Sequence, residues 1–198
     1  MNVLAIDTSS RGRCVCVISR ETGDLVDSAV FEGMTVAEAL PRGIAALRRA
    51  VPSIDAVVVV VGPGSYTGLR AGMAAALGVA QSLAVPLHGV GTLEVIAGAV
   101  SPGVVAGDAA MLAVADAGRG AVYTARCARD GSGWRAGAPQ RQEIAALVPD
   151  GATPASADAL DLPGLIHVDP AEALARSVPA ALASAALSSV GLHAVYVD

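Results

Sequence analysis

Residues 57–70 read VVVVVGPGSYTGLR, and this stretch decides the fold of the chain. An unbroken β-branched run such as residues 57–61 is typical of a strand buried on both faces of a parallel sheet. Gly62 and Gly64 permit a sharp turn at the end of that run, and a helical sequence follows as far as about Ala84. The stretch therefore predicts a strand, a glycine turn and a helix, which together are a unit of an α/β fold.

Two interpretations of this glycine turn remain open. Exposed N–H groups at a helix N-terminus suit an anion, whereas a helix face of small residues suits another helix packed close to it. Small residues recur every three or four positions along one face of the helix: Gly68, Gly72, Ala75, Val79 and Ser82. Glycine inside a helix costs about 1 kcal/mol relative to alanine, so we expect a packing reason. The partner is either a second subunit, which we favour, or the rest of the same lobe.

Composition excludes several classes of protein. The 198 residues are 54% hydrophobic, with a net charge of −5, and all thirteen basic residues are arginine. Without lysine, neither a P-loop nor a Schiff-base mechanism is available. The acidic balance argues against a strong nucleic-acid footprint of its own, so we expect a partner to hold most of any bound RNA.

The lengths of the apolar runs and the spacing of the cysteines bear on localisation and metal binding. The apolar runs are shorter than the roughly 18–20 residues that a membrane span needs, and residue 2 leads directly into a strand. We therefore expect a cytoplasmic protein with no membrane contact. Three cysteines form neither a disulfide framework nor a zinc-finger spacing, and no cofactor or metal is predicted.

An internal repeat indicates two related lobes. Residues 3–7, an Arg-Gly pair at 11–12 and Gly23 reappear, shifted by 108 positions, as residues 111–114, an Arg-Gly pair at 119–120 and Gly131. A doubled strand-turn-strand-turn-strand unit followed by helices predicts an α/β fold with two ribonuclease-H-like lobes, the second reduced. The expected lobes are residues 1–106 and 107–198, joined by a linker at 101–108.

Further elements are predicted from periodicity and turn residues. In the first lobe we expect strands at 14–19 and 25–31, a helix at 35–50, a strand at 85–90 and a helix capped by Thr92. In the second lobe we expect a helix at 142–148, a strand at 165–168 and an alanine-rich helical tail.

Three segments carry a resemblance to a known family. They are residues 4–9 (LAIDTS), 62–70 (GPGSYTGLR) and 89–93 (GVGTL). The arrangement resembles the actin-like ATPase and sugar-kinase superfamily and, more closely, the bacterial TsaB family of tRNA threonylcarbamoyladenosine biosynthesis proteins. The chain departs from the family pattern at Gly118 and Ala121, where an arginine and a glutamate are expected, and these departures leave the family resemblance standing.

The resemblance implies a noncatalytic scaffold that pairs, through helices of the first lobe, with the homologous enzyme that transfers a threonylcarbamoyl group to the adenosine beside the tRNA anticodon. An ATPase subunit joins this assembly, tRNA is contacted only through the complex, and the isolated chain can form a homodimer. The residues predicted to contact the partner are Val36, Leu40, Tyr66, Gly68, Leu69, Gly72, Met73, Ala75, Ala76 and Val79.

Two enzymatic functions are alternatives to the scaffold. A kinase or ATPase of the same superfamily would hold Mg²⁺ and phosphates between acidic residues and backbone N–H groups of both lobes. Its remnants would be Asp7, Thr8, Ser9, Asp116 and Gly118, although the β-carbons of residues 7–9 would crowd a phosphate. A hydrolase is disfavoured because His88, His167 and His193 form no paired motif, and the sequence around Ser65 departs from the nucleophile elbow.

Overall fold

The computed structural model describes residues 1–101, 103–105, 110–130, 133–187 and 192–197, with the backbone alone at residue 130. The first sheet contains five strands in the order β3-β2-β1-β4-β5. Its strands are β1 (Asn2–Asp7), β2 (Arg13–Arg20), β3 (Leu25–Glu32), β4 (Ala56–Gly62) and β5 (Leu87–Gly91). β1, β2 and β3 pair antiparallel, while β1, β4 and β5 pair parallel.

The valine strand is buried on both faces, as its composition predicts. Val58 and Val60 of β4 face one hydrophobic core, and Val57 and Val59 face a second core on the other side of the sheet. Alternate side chains of a strand point to opposite faces, so in a strand covered on both sides every side chain is buried and apolar residues are favoured throughout. This confirms the α/β prediction from residues 57–61.

The second sheet repeats the arrangement of the first. Its strands are β6 (Met111–Gly118), β7 (Ala121–Asp130), β8 (Gly133–Ala136), β9 (Gln140–Glu143), β10 (Thr153–Ser156) and β11 (Ile166–His167). Their order is β11-β10-β6-β7-β8, with β9 also paired to β7. As in the first sheet, the central strand has an antiparallel hairpin on one side and parallel strands on the other. The repeat read from the sequence is therefore confirmed in the topology.

The helices cover the two sheets unequally. α1 (Val36–Ala50) and α2 (Tyr66–Leu83) lie on the outer face of the first sheet and share its outer core. The outer face of the second sheet is covered by residues 144–147 and 160–162, which contribute Ile144, Leu147, Leu160 and Leu162. In the described part of the chain this face carries loops and a 3₁₀ turn where the first sheet carries two α-helices. The second lobe is reduced in this sense.

One core joins the two sheets. α3 (Thr92–Ala99) and α4 (Pro170–Ala183) lie between them, and their buried side chains belong to the same cluster as inward-facing residues of both sheets. α4 comes from the second half of the sequence but packs against β1, β2 and β3 of the first sheet. The helical tail was predicted, but its position over the other lobe was not.

Several sequence predictions need correction. Residues 142–148 do not form a helix, because Gln140–Glu143 pairs with β7 and the chain then makes a 3₁₀ turn at Ile144–Ala146. The cap of α3 is Gly91 rather than Thr92, since the Thr92 hydroxyl donates to the carbonyl of Pro63 at 2.7 Å. The predicted lobe boundary at 106 and 107 lies outside the described residues and stays a prediction.

The three cysteines are buried and free, as expected of core residues. No helix in the described ranges is both long and apolar enough to cross a membrane.

Candidate functional site

The glycine turn packs on the turn that follows β1. Ser65 N–H donates to the carbonyl of Ser9 at 2.7 Å, and the Thr8 hydroxyl donates to the carbonyl of Gly68 at 2.7 Å. A Cβ placed on Gly64, Gly68 or Gly72 would come closer than 3.0 Å to Ser9 or Thr8. The glycines, spaced four apart, therefore let α2 approach the backbone of the β1–β2 turn.

This packing corrects the predicted position of the small-residue face. Gly68 and Gly72 do not form an open ridge, because both face Thr8 of the same chain. Of the other predicted partner contacts, Leu40, Leu69, Met73 and Ala76 are buried in the outer core of the first sheet. Val36, Ala75 and Val79 are partly exposed, and Tyr66 is exposed. Partner binding by this helix pair stays a prediction, shifted to its outward side.

The outward side of α1 and α2 is smooth and basic. On α2 it presents Tyr66, Thr67, Arg70, Ala74, Gly78, Gln81 and Ser82, all exposed. The two helices together carry four arginines against one glutamate, although the whole chain has a net charge of −5. We call this outward side the α1–α2 face. It combines small side chains with a net positive charge, opposite in sign to the net charge of the whole chain.

An aromatic cluster stands at the N-terminal end of this face. The ring of Tyr66 lies 5.5 Å from the ring of Tyr196, and the Arg70 guanidinium lies 5.2 Å from the centre of the Tyr66 ring. Tyr66 and Tyr196 are 57% and 53% exposed, in a chain with five aromatic residues. Exposed tyrosine and arginine are the residue types enriched at binding hot spots. Tyr196 was missed by the sequence analysis, since nothing in the pattern brings residues 192–197 to α2.

The residues predicted to contact a nucleotide meet where the two sheets approach each other. Asp7 and Ser9 come from the end of β1, and Asp116 comes from β6. The Asp7 carboxylate accepts from the Ser9 N–H at 2.8 Å, and Asp116 accepts from the Gly118 N–H at 2.8 Å. Both lobes thus form the same turn at equivalent places. The N–H groups expected to hold phosphates are occupied by the protein's own carboxylates.

Asp158 links the two lobes across this cleft. One of its carboxylate oxygens accepts from Arg13 and from the Ser10 hydroxyl, both at 2.9 Å. Its other oxygen accepts from the Asp116 N–H at 2.8 Å. Arg13 also donates to the carbonyl of Ala157 at 2.8 Å. Sequence reasoning missed Asp158, because it follows the short strand β10, which lies between the predicted helix at 142–148 and the predicted strand at 165–168, where no element is predicted.

The space left between these groups is small. The cavity among Asp7, Ser9, Arg13, Asp116 and Asp158 has a volume of about 10 Å³, enough for one water molecule. Burial is the main cause that raises the pKa of the Asp7 carboxyl, and the nearby Asp158 carboxylate raises it further. Hydrogen bonds from Ser9 and the charge of Arg13 lower it. The space among these carboxylates does not admit a phosphate in the conformation described, whereas a larger cavity of about 650 Å³ opens beside Ser10, Arg13 and Asp158.

The remaining predicted site residues have structural positions. Thr8 is buried under α2, and Gly118 has a positive φ of 74° with the Arg11 guanidinium packed against it. Ser65 is the N-cap of α2, and its hydroxyl accepts from the Gly68 N–H. Within the described residues, no three His, Cys, Asp or Glu side chains are grouped so that they could hold a metal ion.

Comparisons with known proteins agree on one family. Residues 36–195 match the model described as TsaD: tRNA N6-adenosine threonylcarbamoyltransferase. A Mycobacterium tuberculosis protein is 40% identical over 131 residues, which cover 63% of this chain and 58% of that protein. The Bacillus subtilis tRNA threonylcarbamoyladenosine biosynthesis protein TsaB is 31% identical over 134 residues, covering 63% of this chain and 54% of that protein. The matched region therefore spans little more than half the length of these curated relatives.

The fold itself is shared over the full chain with a solved structure. YeaZ from Pseudomonas aeruginosa superposes with a TM-score of 0.77 and 22% identity, covering 99% of both chains. Together these matches confirm the resemblance to TsaB that was inferred from the glycine motif.

Proposed function

The chain belongs to the tRNA N6-adenosine threonylcarbamoyltransferase family, and on that premise we propose that it is a noncatalytic subunit in tRNA threonylcarbamoyladenosine biosynthesis. In this proposal it pairs with the homologous transferase in the cytoplasm and stabilises it. An ATPase subunit joins the same complex, tRNA is contacted only through the complex, and in isolation the α1–α2 face pairs two copies of the chain.

The observation that carries the proposal is the α1–α2 face. Its small residues Ala74 and Gly78 allow the helix of a partner to approach the α2 backbone closely at that point, because neither has a side chain beyond Cβ. Tyr66 and Arg70 stand at one end as large side chains that a partner can enclose. An exposed face with small side chains along most of its length and two large side chains at one end suits helix-on-helix association.

The charge of this face indicates the chemistry of its partner. Arg42, Arg49 and Arg70 are exposed on it, and Glu38 is its exposed acidic residue. Opposite charges across an interface accelerate association and weaken with added salt. We therefore expect the docking surface of the transferase to be acidic.

The occupied donors of the cleft support the noncatalytic part of the proposal. The donors that could hold phosphates already bind Asp7, Asp116 and Asp158, and the cavity among them is about 10 Å³. The same contacts weigh against the alternative of a kinase or ATPase, which requires an open cleft between the lobes. Release of phosphate from ATP by the isolated chain would favour that alternative.

The direct test is association with the transferase from the same organism. The two proteins are co-expressed and purified through a tag on the transferase, and the dissociation constant is measured by titration calorimetry. An Ala74→Glu substitution places a long, negatively charged side chain in the α1–α2 face, where it blocks close approach of a helix and repels an acidic partner surface, so we expect at least about tenfold weaker binding. Transfer of the threonylcarbamoyl group to tRNA by the mixture should fall in parallel.

The matched control is Ala180→Glu. Ala180 is exposed on α4, which covers the opposite face of the first sheet, so this variant should bind like the unmodified protein. If both variants bind equally well, the interface lies elsewhere on the molecule. If the unmodified protein neither binds the transferase nor supports modification, the proposed function itself is wrong.

A further inference from the structure

The contacts of Asp158 have the form of an anion-binding site. Its two oxygens receive three hydrogen-bond or ion-pair contacts, from Arg13 at 2.9 Å, the Ser10 hydroxyl at 2.9 Å and the Asp116 N–H at 2.8 Å. The backbone of the segment is also held, since the Asp158 N–H donates to the Ser156 hydroxyl at 3.0 Å. A guanidinium, a hydroxyl and a main-chain N–H are donors commonly used to bind phosphate or carboxylate.

The site is built rather than adventitious. The side chains of Arg13 and Asp158 are only 12% and 11% exposed. Arg13 is further held by the carbonyl of Ala157, so its guanidinium keeps its direction whether or not the carboxylate is present. Ser10 and Arg13 come from the first lobe, whereas Asp116 and Asp158 come from the second.

We propose that Ser10, Arg13 and the Asp116 N–H form an anion site between the lobes, and that its resident ligand is the protein's own Asp158 carboxylate. The site takes a single carboxylate or phosphate-sized anion. Because Asp158 is part of the chain, its effective concentration is far above that of a free anion. The three donors are therefore occupied by an internal ligand, and the cleft does not need a nucleotide to hold its lobes together.

The consequence is that removal of the carboxylate creates a vacant site for small anions. Asp158→Ala leaves three donors facing a cavity of about the size of formate, so the variant loses stability and gains affinity for that ion. By mass action, formate at ten times its dissociation constant should raise the melting temperature of the variant by about 3–6 °C. Acetate and inorganic phosphate are tested in the same way, to find the largest anion that the site admits.

The experiment measures melting temperature against anion concentration, with sodium chloride at matched ionic strength as the reference. The unmodified protein and Asp150→Ala should show no saturable rise. Asp150 makes a 2.9 Å ion pair with Arg126, but both side chains are largely exposed. This control therefore removes the same type of contact without opening a buried site.

A second variant covers the case in which Asp158→Ala does not fold. Asp158→Asn keeps the size of the side chain and one acceptor oxygen, but it turns an amide towards one of the donors. It should melt lower than the unmodified protein while remaining folded. The proposal is overturned if formate, acetate and phosphate leave the melting temperature of Asp158→Ala unchanged relative to chloride. It is equally overturned if Asp158→Asn is as stable as the unmodified protein.

Discussion

Replacement of Gly72 by alanine tests how α2 packs against the β1–β2 turn. On an open helix face this change would stabilise the protein by about 1 kcal/mol, because alanine is the better helix former. Here the new Cβ would overlap the buried Thr8 hydroxyl, which donates to the Gly68 carbonyl at 2.7 Å. Thr8 must then rotate, and its buried hydroxyl loses its acceptor.

The magnitude follows from these contacts. An unsatisfied buried hydroxyl costs about 1–3 kcal/mol, and forcing an extra methyl into a packed site costs about 1–3 kcal/mol. After subtraction of the helical gain, we expect the free energy of unfolding to fall by about 1–5 kcal/mol. Urea unfolding followed by circular dichroism at constant pH measures it.

Two further variants make this result specific. Gly78→Ala lies on the same helix with no atom within 4 Å of the new Cβ, so it should be stabilising by up to about 1 kcal/mol. In the double variant Thr8→Ala/Gly72→Ala the overlap is gone, so the combined loss should be smaller than the sum of the single losses. Stabilisation of equal size in Gly72→Ala and Gly78→Ala would refute the packing on Thr8.

The remaining predictions concern charge and capping. Because burial raises the pKa of Asp7, the folded protein holds this proton more tightly than the unfolded chain, so the free energy of unfolding falls as pH rises from 3.8 to the raised value. In Asp7→Asn, with Arg13 and Asp158 unchanged, this fall in the free energy of unfolding should be smaller. Urea titrations at a series of pH values measure it, and a pH profile identical to that of the unmodified protein would contradict the prediction. Asp169 caps α4 by accepting from the N–H groups of Ala171 and Glu172, so Asp169→Ala should cost about 1 kcal/mol in chemical unfolding. The exposed Asp161→Ala should change stability by less than about 0.5 kcal/mol, and equal effects of the two would argue against the cap.

Local patterns were sufficient for much of the fold. The run at 57–61 identified a strand buried on both faces, and the repeated Arg-Gly turns identified the second sheet. Both inferences rest on periodicity and backbone geometry, which act over a few residues. The helix predicted at 142–148 was wrong because local patterns do not report long-range contacts. Here the pairing of β9 with β7 outweighs the local helical preference.

The candidate site was less accessible to sequence reasoning. Regular spacing showed that Gly68 and Gly72 share a face, but it carries no information about which neighbour that face meets. Asp7 and Asp116 could be related through the repeat, whereas Asp158 has no counterpart in a motif and reaches Arg13 only through the approach of the two lobes. Tyr196 lies 130 positions from Tyr66 in the sequence, and their contact depends on the whole fold.

The placement of α4 has a consequence for synthesis on the ribosome. The inward side of β1 and β2 carries Val3, Ala5, Val15 and Val17, which share a core with the buried side chains of residues 170–183. These residues emerge from the exit tunnel long after the strands they pack against, so the nascent chain exposes this apolar surface until residues 170–183 have been released. Holding chaperones therefore have a defined surface to protect until α4 docks.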